Sequence, residues 1–361
     1  MTDSAGSKPA IIAFYLPQFH PIPENDEWWG PGFTEWTNVA AARPLFRGHR
    51  QPQLPGQLGF YDLRLAESRE AQAMLARTYG VTAFCYWHYW FAGKKLLERP
   101  LEEVVASGKP DFPFCVAWAN QTWSGVWHGA PDRILTEQTY PGEEDDQAHF
   151  EYLCRAFDDP RYLRVDDRPV LVIFRPTELP DPAAFTERWQ AMARDHGMPG
   201  LHLVAYVGDI GWGPDYDGYR RDGFDAAIYV RFPFRHTLLT RVKRRLQDRI
   251  PRMGPKRYRL IRDLPKAPAG LEQPLYPCIH PNWDNTPRSG RGGLVLVDSS
   301  PELFRHHLRQ ALSLAREAPV GKQLVWIRSW NEWAEGNYLE PDRETGLDYL
   351  QTLSEEVNLP H

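Results

Sequence analysis

Residues 323–336 read QLVWIRSWNEWAEG. An apolar run, QLVWIR, passes directly into two glutamates, Glu332 and Glu335, set among Trp330, Trp333 and small residues. A run of continuous rather than alternating apolarity is the mark of a strand covered on both faces, as in a parallel sheet. A carboxylate is costly to bury unless it is paired or hydrogen-bonded. Two of them directly behind such a strand therefore need a special environment, and the mouth of a parallel barrel supplies one.

The same grammar recurs along the chain. Further strand candidates are AIIAFYL (10–16), VTAFCYW (81–87), FPFCVAWA (112–119), PVLVIFR (169–175), LHLVAYV (201–207), DAAIYV (225–230) and LYPCIH (275–280), with the last at 323–330. Helical patterns lie at about 66–79, 95–107, 143–158, 182–196, 301–317 and 345–356. Repeated strand-then-helix order implies an α/β fold. Eight such strands predict a closed (β/α)8 TIM barrel, a single catalytic domain over residues 1–361. The rival is a doubly wound open sheet, but the first strand is not followed by a glycine-rich phosphate turn.

Nearly every strand exits into aromatic or hydrogen-bonding side chains: Tyr15, Gln18 and His20; Trp87, His88 and Tyr89; Trp118 and Asn120; Arg175; Tyr206; Arg231. His280, Asn282, Trp283 and Asp284 follow the seventh strand, and Trp330, Asn331, Glu332 and Glu335 the eighth. Two segments depart from the repeat. Residues 17–65 form a long βα loop rich in Pro, Gly, Trp and acids, and loops of that length are usually functional. Residues 235–266 within a basic insertion at about 235–270 carry a run of Arg and Lys. That run reads as a solvated helical excursion or as a basic lip for an anionic group.

Composition narrows the partners. The 361 residues carry 42 Lys+Arg against 47 Asp+Glu, a net charge of -5, which argues against nucleic acid as the main partner. No apolar run approaches the length of a membrane span. MTDSAGSKPA shows no basic segment leading into an apolar one, so the expectation is a cytoplasmic protein without a signal peptide. Cys85, Cys115, Cys154 and Cys278 lack short paired spacing and read as buried thiols. No metal-ligand spacing, Ser-His-Asp elbow or nucleotide motif stands out, so no cofactor is expected. The distinctive feature is 14 Trp, 16 Tyr and 17 Phe, many beside Asn, Glu and His. Flat faces next to hydrogen-bonding groups suit a sugar, so an oligosaccharide or polysaccharide is the expected substrate; the oligomeric state is not legible.

If the chain turns into a short helix after strand eight, Glu332 and Glu335 share a face, with Cβ atoms about 5–6 Å apart. Two close carboxylates in an indole-lined site cannot both ionise comfortably, so one is held protonated. An acid beside a base is the equipment for glycosidic-bond chemistry. The alternative is an acidic helix N-terminus favoured by the macrodipole.

FYLPQFHPIPENDEWWGPGFTEWTNV, FCYWHYWFAGKKLLERPL, FPFCVAWANQTW, PNWDNTPR and WNEWAEGNYLEP together resemble the WbsX-like family over about residues 11–350. Its members are commonly labelled glycosyltransferases of bacterial surface-polysaccharide (O-antigen, lipopolysaccharide) clusters and are related to family 99 glycoside hydrolases. The resemblance implies a (β/α)8 barrel and a Glu-Trp-X-Glu motif after strand eight, onto which Glu332 and Glu335 fall. It further implies a retaining hydrolysis of an α-linked glycan. Glu332 would draw the proton from the substrate's own 2-hydroxyl, giving a 1,2-anhydro sugar, and Glu335 would protonate the leaving oxygen. Ala334 stands where the hydrolases usually have His, so no contact of that His carries over. Glycosyl transfer and non-catalytic glycan binding remain the alternatives.

Tyr15 falls on an aromatic position that the resemblance puts near the reacting sugar, though it is equally readable as barrel packing. His88, Trp118, Asn120, Trp123 and Trp127 could build a sugar platform. Asn282, Trp283 and Asp284 could bind hydroxyls or cap a turn. His20, Tyr206, Trp330 and Asn331 are further strand-exit candidates for substrate binding. Glu35 and Trp36 in GFTEW could reach over the cleft, as could Asp26, Trp28 and Trp29.

Overall fold

The apolar runs become eight parallel strands: β1 (Ala10–Tyr15), β2 (Ala83–Phe91), β3 (Phe114–Trp118), β4 (Arg168–Ile173), β5 (His202–Val207), β6 (Ala226–Val230), β7 (Leu275–Ile279) and β8 (Leu324–Ile327). The computed structural model describes residues 8–125, 130–208, 218–230, 232, 254–266 and 274–359. Each strand pairs in parallel with the next, and β1 pairs with both β2 and β8. Ile12 accordingly sits opposite Ala83 on one side and Trp326 on the other. This is the closed (β/α)8 barrel that the repeat predicts.

Both faces of the strands are covered, which explains their unbroken apolarity: Ile11, Ile12, Ala13 and Phe14 of β1 are all fully buried. The helices are α1 (Pro23–Trp29) and α2 (Glu35–Ala41) inside the long first loop, then α3 (Ala66–Thr78), α4 (Arg99–Ser107), α5 (Glu143–Phe157) and α6 (Pro182–Asp195). After β7 come the short α7 (Thr286–Ser289) and α8 (Pro301–Arg316), and α9 (Asp348–Asn358) closes the chain. α8 starts at an N-cap where Ser300 accepts from the Leu303 amide, with Pro301 in the first turn. Its Phe304, Leu308 and Leu312 are buried, each contributing about 1.5–3 kcal/mol. The four cysteines are buried, three of them in β2, β3 and β7.

Three local expectations change. β2 runs on to Phe91 and turns into a hairpin with Lys94–Leu96, so the following helix begins at Arg99. Trp87, His88 and Tyr89 are therefore strand residues. Of the basic insertion at about 235–270, residues 235–253 and 267–270 lie outside the described residues, as do Arg231 and Trp127. Within its described part, Lys256–Tyr258 is a strand paired with Leu294–Leu296, and Tyr258 packs into a cluster with Phe232, Trp283 and Leu296. No described helix is long and apolar enough to cross a membrane.

Candidate active site

β8 stops at Ile327, and the glutamate motif follows as a tight hairpin rather than the expected α-helix. Asn331–Glu332 pair antiparallel with Asn337–Tyr338, and Trp333–Glu335 form one 3-10 turn. In such a turn residues i and i+3 eclipse, so the two acids still stack on one side. Gly336 closes it at φ 54, and a Cβ there would lie 2.7 Å from the Asp284 amide nitrogen. Only glycine fits both demands. The loop after β7 thus backs directly onto the motif, and the Asp284 amide donates to the Glu335 carbonyl at 2.7 Å.

Glu332 and Glu335 are 3% and 4% exposed, and both line a cleft of about 320 Å³ at the barrel mouth. Trp87 donates its indole N–H to Glu332 Oε1 at 2.6 Å. Arg328, the first residue beyond β8, lies 3.8 Å from Glu332 Oε2 and 3.5 Å from Glu335 Oε2. Arg288 of α7 donates to Glu335 Oε1 at 2.8 Å. The second arm of Arg288 grips both oxygens of Glu35, at 2.8 and 2.9 Å. Glu35 in turn accepts from the Ala334 amide, between the two acids, at 2.8 Å.

These surroundings divide the pair. Burial pushes the Glu332 carboxyl up, but Arg328, the hydrogen bond with Glu335, Arg288 and Trp87 outweigh it and hold it below its ordinary value. Glu335, buried and next to the Glu332 charge, is pushed up to about 8 despite Arg288 and Arg328. The surroundings therefore favour the charged form of Glu332 and the neutral form of Glu335, the division that acid–base work requires.

The other sequence candidates fall into three groups. Trp123 lines the cleft with Gln18, Trp29, Tyr89 and Arg175. Glu35 and Tyr206 stand behind it: Glu35 holds Arg288, and the Tyr206 hydroxyl accepts from Arg328. The remainder lie outside the cleft lining and are packed against or hydrogen-bonded to other parts of the protein. The Tyr15 hydroxyl donates to Gln72 of α3 at 2.6 Å, outside the barrel. His20 is buried among Asp62, Arg64 and Arg99, and burial pulls its ring below its ordinary value. Trp36 donates to the Tyr61 carbonyl and packs on Phe19 and Trp333. His88 pairs with His149 of α5 at 2.9 Å, and Trp118 packs against His149 and Phe185. Asn120 clips the end of β3 to the Arg175 backbone in both directions. Asn331 does the same to Leu16 after β1. Asn282 accepts from the Tyr338 amide, and Asp284 takes His49 and Gln51 from the first loop, both at 2.7 Å. Trp283 belongs to the Phe232 cluster, with Arg328 over its ring, and Trp330 is fully buried against Phe84. Asp26 accepts from the Gly32 amide within its own loop.

The residues that sequence reasoning missed are the two arginines. Arg328 is the one charge in QLVWIR, and a strand-end guanidinium only 7% exposed needs an anionic partner. That demand, set beside two glutamates, was the available signal. Among the described residues no group of three His, Cys, Asp or Glu side chains could hold a metal ion.

The (β/α)8 fold is similar to that of solved structures described as glycoside hydrolases. A solved structure described as a glycoside hydrolase-like protein matches at a TM-score of 0.63 with 16% identity, over 98% of this chain and 95% of that one. The GH99 endo-alpha-mannosidase from Bacteroides thetaiotaomicron matches at 0.55 with 14% identity, over 96% of each chain. Within that architecture, the model of the family described as "Glycosyltransferase WbsX" covers residues 11–353, and the chain belongs to this family. Two Xanthomonas campestris pv. campestris proteins, from strains B100 and ATCC 33913, each called uncharacterized protein WxcX, are 42% identical over 344 residues. The match takes in 94% of this chain but 48% of theirs, so the chain spans about half the length of the curated relatives it matches.

Proposed function

We propose that the chain is a retaining glycoside hydrolase acting on an α-linked glycan whose reacting sugar carries a free 2-hydroxyl. The observation that carries the reading is the placement of Glu332 and Glu335 side by side in one cleft with different partners, Trp87 and Arg328 at Glu332 and Arg288 at Glu335. Glu332, as carboxylate, accepts the proton of the 2-hydroxyl while O2 attacks the anomeric carbon and the glycosidic C–O bond breaks. Glu335 gives its proton to the leaving oxygen. The resulting 1,2-anhydro sugar is opened by water, whose proton returns to Glu335, and O2 recovers its proton from Glu332. Both acids end as they began, and two inversions leave the anomeric configuration retained. No carboxylate nucleophile across the ring is required, which agrees with a site whose two acids sit on the same hairpin.

The test is incubation with a panel of α-linked bacterial surface glycans, following products by mass spectrometry and anomeric NMR. Cleavage with the α-anomer appearing first supports the reading; a β-anomer as first product, or no cleavage of any panel member, overturns it. The family's description favours a second reading, glycosyl transfer from a nucleotide sugar. Calorimetric titration with nucleotide sugars separates the two, since firm binding supports transfer and its absence supports hydrolysis.

A further inference from the structure

Glu35 lies far from the glutamate motif in sequence and does not touch the cleft, yet it is the most completely buried carboxylate in the neighbourhood, at 0% exposure. A buried carboxylate is kept only where its partners are fixed. Its partners here are both parts of the acid site: the Arg288 fork and the Ala334 amide. Arg288 directs its other terminal nitrogen to Glu335. Three loops, following β1, β7 and β8, are thereby joined by one line of charge.

We propose that Glu35 and Arg288 are a positioning pair for the proposed acid: Glu35 locks the guanidinium plane, and Arg288 holds Glu335 Oε1, leaving Oε2 to carry and transfer the proton. This rests on the acid–base reading of Glu335. With Oε1 held by Arg288 at 2.8 Å and Oε2 approached by Arg328 only at 3.5 Å, the exchangeable proton belongs on Oε2. Once Glu335 has given that proton up, the same guanidinium stabilises the carboxylate until water restores it.

The charged and titratable groups facing Glu335 are Glu332 on its own hairpin, Arg328 at the end of β8, Arg288 from α7 with Glu35 behind it, and Tyr89 from β2. The pair therefore acts on Glu335 in opposite senses. Removing the Arg288 charge leaves the acid harder to ionise, whereas removing the Glu35 charge frees the Arg288 field to act on Glu335 and makes it easier.

The experiment needs no substrate: carboxyl NMR of the full chain labelled with 13C-glutamate, with the Glu335 signal assigned by its loss in Glu335→Gln. In the unaltered chain the signal should titrate at about 8. Arg288→Met should move it up and Glu35→Gln down, each by about one pH unit. The double variant leaves no lone buried charge behind, guards against loss of fold, and should move it up. A Glu335 signal unmoved in folded variants, or moved the same way by both single changes, overturns the proposal. Failure of the hydrolase reading looks different: no glycan is cleaved, while the opposed titration shifts persist.

Discussion

Glu335 and Glu340 lie in the same loop after β8, are 4% and 2% exposed, and are both pushed up by burial, to about 8 and about 7. Their surroundings differ in kind. Glu340 is enclosed by neutral donors: Tyr61 at 2.8 Å, Gln72 at 2.7 Å and Trp333 at 2.6 Å. It does not reach the cleft. Glu335 has a second carboxylate and two guanidiniums beside it and borders open space. A displaced proton affinity is therefore not by itself a sign of chemistry. In Glu340 it marks a strut that ties the Trp333 indole to α3; in Glu335 it accompanies a partner of opposite protonation and room for a ligand.

Exchanging each acid for its amide tests the contrast most strongly. Glu332→Gln and Glu335→Gln should each lower turnover by about 10²–10⁴-fold while circular dichroism shows an intact fold. In Glu335→Gln the amide oxygen can still accept from Arg288, so the hairpin keeps its anchor. Glu340→Gln should do the reverse. An amide has one acceptor oxygen for three donors, and leaving buried donors unmatched should cost about 1–3 kcal/mol in denaturant titration. Turnover per folded molecule should stay near that of the unaltered chain. Full activity in both motif variants, or loss of activity without loss of stability in Glu340→Gln, would erase the distinction.

Acidity gives a smaller effect with a definite sign. Both groups bind protons more tightly folded than unfolded, their ordinary value being 4.5. Between 4.5 and about 7–8 the native state thus holds more protons, and stability declines as pH rises, by up to about 1.4 kcal/mol per pH unit for each group. Glu340→Gln should flatten the lower part of that decline and Glu335→Gln should extend the flattening to about 8. Of these two groups, activity should respond to Glu335 only: its alkaline limb should fall at about 8 and keep its place in Glu340→Gln. Melting temperatures and pH–rate profiles read the two separately.

The barrel was legible because an unbroken apolar run is what a strand covered on both faces requires, and the acid pair because carboxylates are rare among indoles. What the sequence did not disclose is which way a strand-end side chain points. Successive side chains on a strand face opposite sides, so an error of one residue exchanges mouth for helix layer. Trp87 reaches inward to Glu332, while His88, its neighbour, faces outward to His149. Phe14 stacks on Trp87 at 4.7 Å, while Tyr15 bonds Gln72 on α3. Each run offers both parities, and in both of these the more polar residue is the outward one. Arg288 escaped notice for another reason: its two carboxylate partners come from loops that no local spacing connects.

Tyr15 gives the mildest and most pointed check on the division between strut and cleft. Its hydroxyl donates to the Gln72 carbonyl oxygen, whose amide nitrogen donates to Glu340, so it is the outer member of the strut and not a wall of the cleft. Tyr15→Phe keeps the ring between Phe84 and Tyr86 and removes one buried hydrogen bond. The expected loss is about 1 kcal/mol of stability, with kcat/KM unchanged. The family resemblance implies a sugar contact at Tyr15 instead, which would give the opposite pattern: weakened catalysis on an undiminished fold. One residue thus separates an aromatic that belongs to the packing of β1 against α3 from one that belongs to the chemistry. The unbroken chain of bonds from its hydroxyl to Glu340 argues for the packing.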